Sequence, residues 1–284
     1  MALQFVSQAN TGTSRLQDQS VYNLPKPPGL AVGDGMVAWL ESGNGAITLN
    51  SAPAGWTVVV NERFSGVGYR RIIATKIADA ADVAASTFAF TWSANATGQG
   101  FTFAYRDIDP ANFFTISART DAGLESSGPG GNVTVTCPSV VTVEPNSLLL
   151  RFASFQGFNV TDDGFITEEA GHTERLDLAI PNNGWTLGFQ EQDTPQTIPG
   201  PSATQQVTGT GLDAAAGEPD YRTEAWTAAI APLVTSGGGA GMAAPSAPSQ
   251  PQREAIERGM PIKNPFGGRM RRNACMCIGK CVCS

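Results

Sequence analysis

The chain has 284 residues, a net charge of −7, 15% charged residues, 32 glycines and 19 prolines. So much glycine and proline at ordinary apolar content suits a turn-rich β protein and argues against a helical bundle. No run of eighteen apolar residues exists and no basic-then-apolar leader follows Met1, so the expectation is a chain made in a cytoplasm, with no signal peptide and no membrane span.

The charge is uneven. Residues 251–284 hold Arg253, Arg258, Lys263, Arg269, Arg271, Arg272 and Lys280 against Glu254 and Glu257, a net of +5, which leaves −12 for residues 1–250. A basic tail on an acidic body can bind nucleic acid or dock on an acidic protein surface. Without interleaved aromatics, five charges fall short of a nucleic-acid pattern.

In chain order, residues 1–30 are polar and end in Asn23-Leu24-Pro25-Lys26-Pro27-Pro28-Gly29, which neither a helix nor a central strand tolerates. They read as an extended N-terminal arm. Short strands are expected at Met36–Leu40, Ile47–Leu49, Trp56–Val60 and Tyr69–Ile77, with Gly, Pro and Asn turns between them. The centre of the core is the aromatic run from Thr87 to Ala118. Phe88, Phe90 and Trp92 alternate with Ala89 and Thr91, and Phe101 and Phe103 alternate with Thr102 and Ala104, so the two runs read as neighbouring half-buried strands separated by a turn. Charge and Pro110 end the second of them after Tyr105-Arg106. Further strands are expected at Phe113–Arg119, Val133–Cys137, Leu148–Ser154, Leu187–Gln190, Ala203–Thr208 and Trp226–Ile230. A dozen short strands without a long helix predict an all-β fold of two packed antiparallel sheets over residues 31–234. Pro53-Ala54-Gly55-Trp56-Thr57 has an echo in Pro181-Asn182-Asn183-Gly184-Trp185-Thr186. The echo reads as a pair of core anchors in preference to a carbohydrate-binding repeat.

Residues 235–252 are a Gly/Ala/Pro/Ser linker with nothing to bury, and residues 253–284 form a flexible, basic, Cys-rich C-terminal tail. Four of the five cysteines, Cys275, Cys277, Cys281 and Cys283, lie there as C-x-C-x3-C-x-C. In an extended chain each pair presents two sulfurs on one side. Four such thiolates could hold Zn²⁺ or an iron–sulfur cluster, or form interchain disulfides around a symmetry axis, and both readings stay open. Cys137 is a lone core or surface thiol.

Little here suggests catalysis. His172 is the single histidine, expected as a solvated loop residue without a nucleophile partner. Asp107 with Asp109, and Asp162 with Asp163 ahead of Gly164, read as turn formers, because neither pair opens a calcium-loop pattern. No phosphate loop, nucleophile elbow or dinucleotide fingerprint occurs.

From Gly33 to about Leu233 the chain resembles a family of jelly-roll-like β-sandwich domains of bacteriophage and prophage virion proteins. The resemblance is carried by Gly33-Asp34-Gly35-Met36-Val37-Ala38, by Pro53–Thr57, by Thr87–Ser93 and by the strand end Ala104–Asp109. In the second half it is carried by Gly184–Thr186 and the strand around Trp226, and the family has a glycine where Asp107 stands. It implies a virion structural protein, a tail or baseplate fibre or a capsid decoration component, without an active site. Arm and tail would then lock the sandwich to other copies, as a homotrimer, and to other virion proteins. The alternative is a glycan- or receptor-binding module for host adsorption. Binding expects an exposed rim of Trp or Tyr, whereas scaffolding expects Trp39, Trp56, Trp92, Trp185 and Trp226 buried.

Overall fold

A computed structural model describes residues 3–12, 16–43, 45–63, 69–117, 119–125, 131–156, 165–180, 185–212 and 221–234. They belong to one unit, Met1–Thr235. The strands are β1 (Gln4–Asn10), β2 (Leu16–Pro25), β3 (Gly35–Ser42), β4 (Leu49–Ser51), β5 (Thr57–Arg63), β6 (Arg70–Ile77), β7 (Thr87–Arg106), β8 (Phe114–Ile116) and β9 (Thr120–Glu125). They continue as β10 (Gly131–Cys137), β11 (Val141–Thr142), β12 (Leu148–Gln156), β13 (Phe165–Thr167), β14 (His172–Ile180), β15 (Trp185–Gln192), β16 (Gly200–Pro201), β17 (Gln205–Leu212) and β18 (Tyr221–Ile230). One helical turn, α1 (Ala80–Ala84), sits before β7, its start fixed by a capping box between Asp79 and Asp82.

The chain folds as an all-β antiparallel sandwich. One sheet runs β1-β7-β3-β6-β5, with β2 and β4 also pairing β7, and the other runs β14-β15-β12-β18-β8, with β9 also on β18. Alternate residues from each sheet meet in the main core: Val37, Trp39, Phe101, Phe103 and Tyr105 from one, and Leu150, Phe152, Phe189 and Trp226 from the other. Period-two alternation puts these side chains on one face, and burying each large apolar group contributes roughly 1.5–3 kcal/mol.

Two more cores flank this one, so the sandwich has more layers than the two expected. Met36, Ala38, Leu40, Ile72 and Ala74, on the other face of β3 and β6, pack with Phe88, Phe90 and Trp92 of β7 and with Tyr22 and Leu24 of β2. On the far side of the second sheet, a three-stranded sheet β10-β17-β13 covers Ala153, Phe155 and Ala225 with Val133, Val135, Cys137, Ile166 and Val207.

The aromatic run departs from expectation in one respect. It is a single twenty-residue strand, not two neighbours: β7 pairs β2 from Thr87 to Gly98 and β3 from Gly98 to Tyr105. Its even-numbered residues (Phe88, Phe90, Trp92, Ala96, Ala104) face one core along the strand, while in the second half the odd-numbered Phe101, Phe103 and Tyr105 face the main core, so that half is buried on both sides. Gly100 sits where they meet: a Cβ there would lie 2.6 Å from Leu24 Cδ2 and 2.8 Å from the Trp39 carbonyl oxygen. The glycines read as a turn are therefore the points of closest packing. The N-terminal stretch read as an arm is laid down as two strands of the first sheet, β1 on the second half of β7 and β2 on the first, and Tyr22 and Leu24 of β2 are buried in its core. Both stay off the centre, consistent with the prolines that close β2.

Candidate functional site

A hollow of about 570 Å³ opens at one end of the sandwich and is lined by Leu3, Leu148, Leu233 and Val234 with Glu191 and Asp193. Glu191 stands on β15 opposite Thr173 of β14. A bulge between Glu174 and Leu176 leaves Arg175 as the extra residue of β14, and its side chain reaches back to Glu191. Arg175 donates through Nε to Glu191 Oε2 at 2.9 Å and through Nη2 to Oε1 at 3.0 Å. From the facing sheet the Tyr105 hydroxyl donates to Oε2 at 2.7 Å. The Arg175 guanidinium also lies 4.6 Å from the centre of the Phe5 ring, and Phe5 meets Tyr105 edge-on at 5.3 Å. Burial, and then the charge of Glu191, holds the Tyr105 hydroxyl well above the ordinary phenol range, so it acts as a donor only. The bond to Glu191 raises Arg175 in turn, against the cost of its own burial. Asp193, on the exposed rim, accepts from Thr173 at 2.7 Å. The arrangement is an anchored carboxylate in an apolar hollow.

A second polar cluster lies inside the main core. Arg71 of β6 is ion-paired with Glu41 of β3 in its own sheet and with Glu224 of β18 in the facing one. Its guanidinium lies 4.4 Å from the Trp226 ring centre and 5.2 Å from that of Trp39. Arg119 joins Glu224 at 3.0 Å and Glu62 of β5 at 3.5 Å. Buried charges survive only when paired, and here the pairing spans the two sheets. Arg151 of β12 is the contrasting case. It is buried and donates to Thr227 Oγ1 at 2.6 Å and to the Ala203 carbonyl at 3.0 Å. It has no carboxylate partner among the described residues, and burial lowers its pKa.

Of the residues singled out from sequence, Cys275, Cys277, Cys281 and Cys283 lie outside the described residues, as do Asp162, Asp163 and Gly164. Among the described residues no group of three or more His, Cys, Asp or Glu is placed to hold a metal ion, and no helix is long and apolar enough to cross a membrane. Cys137 is a free thiol in the outer core, with burial pushing its pKa up to about 12. His172 is not solvated: the turn at Gly171 (φ +76°) leads straight into β14, which buries the ring and leaves Nδ1 3.3 Å from the Ala170 carbonyl. Asp109 is a turn former, accepting from the Ala111 N–H at 2.9 Å and from Asn112 Nδ2 at 3.0 Å. Trp39, Trp56, Trp92 and Trp226 are all buried, while for Trp185 only the backbone is described.

Sequence reasoning missed Glu191, Arg175 and Tyr105. Their one local signal is the acidic Glu191-Gln192-Asp193 that closes an apolar strand. Comparison with protein-family models, curated proteins and solved structures gave no match.

Proposed function

We propose that the chain is a structural protein of a bacteriophage particle, a tail or baseplate fibre or a capsid decoration component, with no enzymatic role. The observation that carries this reading is where the aromatic side chains lie. Trp39, Trp56, Trp92, Trp226, Tyr22 and Tyr105 are inside, and among the described residues no tryptophan is exposed to stack on a sugar. A layered core crossed by buried ion pairs suits a body that bears load. Asp107 adds a smaller point: it takes a left-handed conformation, φ +61°, at the position where the resembled family has glycine.

On this reading the Cys-rich tail clasps copies together. Three tails on an axis, a homotrimer, would present enough thiolates for disulfide cross-links or for Zn²⁺ or iron–sulfur clusters. The test is deletion. Particles assembled without the chain are expected to lack a defined density by electron microscopy, and the full-length chain supplied in trans restores it. Complete particles that have lost only adsorption to host cells would favour the glycan- or receptor-binding alternative.

A further inference from the structure

We propose that the hollow around Glu191 and Asp193 is a docking site for an arginine or lysine side chain borne on an extended, apolar segment of another protein. The charge comes from two carboxylates with acceptor positions to spare. A carboxylate offers about four acceptor positions. Tyr105 and Arg175 use three on Glu191, two at Oε2 and one at Oε1, which leaves one at Oε1. Asp193 accepts from Thr173 through Oδ1, and among the described residues its Oδ2 takes no hydrogen bond. Two carboxylates against the one guanidinium of Arg175 give the hollow a net negative charge, on a body that is itself acidic. A cationic partner is steered towards such a surface before contact.

The walls decide the rest. Leu3, Leu148 and Val234 line the hollow together with Pro145, Pro195 and Pro232. Rigid aliphatic surface of this kind covers the methylene stem of Arg or Lys and the apolar residues beside it, and a bare small amine would leave it unused. About 570 Å³ matches the volume of one long side chain with its neighbours. A metal ion is a poor occupant, because among the described residues no third His, Cys, Asp or Glu joins Glu191 and Asp193 to hold it. A sugar is also a poor one, since none of the described residues that line the wall is aromatic. The inference stands apart from the virion reading: a chain absent from particles could still bind such a segment.

The test uses the full chain and a fluorescein-labelled peptide, Pro-Leu-Arg-Pro-Val, read by fluorescence anisotropy against its citrulline twin, which keeps the shape and loses the charge. The arginine peptide is expected to bind, more weakly as salt rises, with the citrulline twin weaker by about tenfold or more. Asp193→Lys should weaken it by a similar factor and Asp193→Glu should restore it, with the melting midpoint of each variant unchanged. Asp193→Asn serves as the second neutralising variant should the lysine disturb the fold. No binding to the unsubstituted chain, equal binding of the two peptides, or unchanged affinity in the Asp193→Lys and Asp193→Asn proteins overturns the proposal.

Discussion

Arg71 of β6 and Glu224 of β18 are 153 residues apart in sequence and form a buried ion pair between the two facing sheets. Glu41 completes the pairing from the strand beside Arg71, and the rings of Trp39 and Trp226 pack against the guanidinium. Removing one partner of such a pair leaves a buried charge uncompensated. Glu224→Ala is expected to lower unfolding free energy by about 3–5 kcal/mol, whereas Glu62→Ala, at the exposed end of the same cluster, costs less than about 1 kcal/mol. Urea denaturation of the two variants decides it, and equal losses would mean that the pairing is incidental.

The main core makes a similar contrast. Trp39 is completely buried, in contact with Phe101, Phe152 and Trp226, while Ile198 is 75% exposed. Trp39→Ala should cost about 3–5 kcal/mol, and Ile198→Ser should stay within about 0.5 kcal/mol of the parent. Thermal and urea midpoints of both provide the comparison.

Alkali should unfold the protein. Burial raises the pKa of Tyr22, against a hydrogen bond to Ser42, and raises that of Tyr105 and, to about 12, that of Cys137. All three keep their protons in the folded state at a pH where the unfolded chain has lost them. Their contribution is therefore complete below pH 9–10, around the ordinary thiol and phenol values, and is lost as pH rises through the folded-state values. Each group adds a slope of about 1.4 kcal/mol per pH unit. Stability should fall above pH 10, and Tyr22→Phe and Tyr105→Phe should each flatten the fall. A stability curve indifferent to pH between 9 and 11 would contradict the burial of these groups.

The cysteines can be told apart chemically. Cys137, buried among Val133, Val135 and Ile166, is expected to resist a thiol-alkylating reagent at pH 8 until the chain is unfolded, as read by mass spectrometry of the peptide that contains it. For Cys275, Cys277, Cys281 and Cys283, metal analysis of assembled particles beside a non-reducing gel separates the two forms of clasp. Stoichiometric zinc or iron makes them ligands, and a reducible trimer-sized band makes them a disulfide clasp. Neither result would leave the joining to the rest of the chain.

The strands of the main core were largely legible, since Met36–Leu40, Leu148–Ser154 and Trp226–Ile230 are short, mostly apolar runs buried on both faces. The fusion of Phe88–Trp92 with Phe101–Ala104 into one strand was visible only as a change of the aromatic residues from even to odd positions. Seen locally, Gly98 and Gly100 look like a turn; their close approach to β2 and β3 belongs to the assembled fold. β1, β2 and β14 were missed or read as arm and loop because polar residues dominate them, and backbone pairing to β7 or β15 holds them in place. Of the two polar clusters, only the acidic Glu191-Gln192-Asp193 left a local mark, and none of the pairings was legible. Glu191 meets Tyr105 across 86 residues and Arg71 meets Glu224 across 153, and no local pattern records either distance. His172 shows the same limit: its polar neighbours suggested solvent, and the packing of β14 against β15 removed it.

The most direct test of the structural reading is quantitative mass spectrometry of density-purified particles from cells that carry the gene for this chain. The account predicts the chain in a fixed ratio to the major capsid protein, retained after a high-salt wash, with a copy number divisible by three. Its absence from washed particles, or recovery only in the soluble fraction of the lysate, would contradict the proposed role.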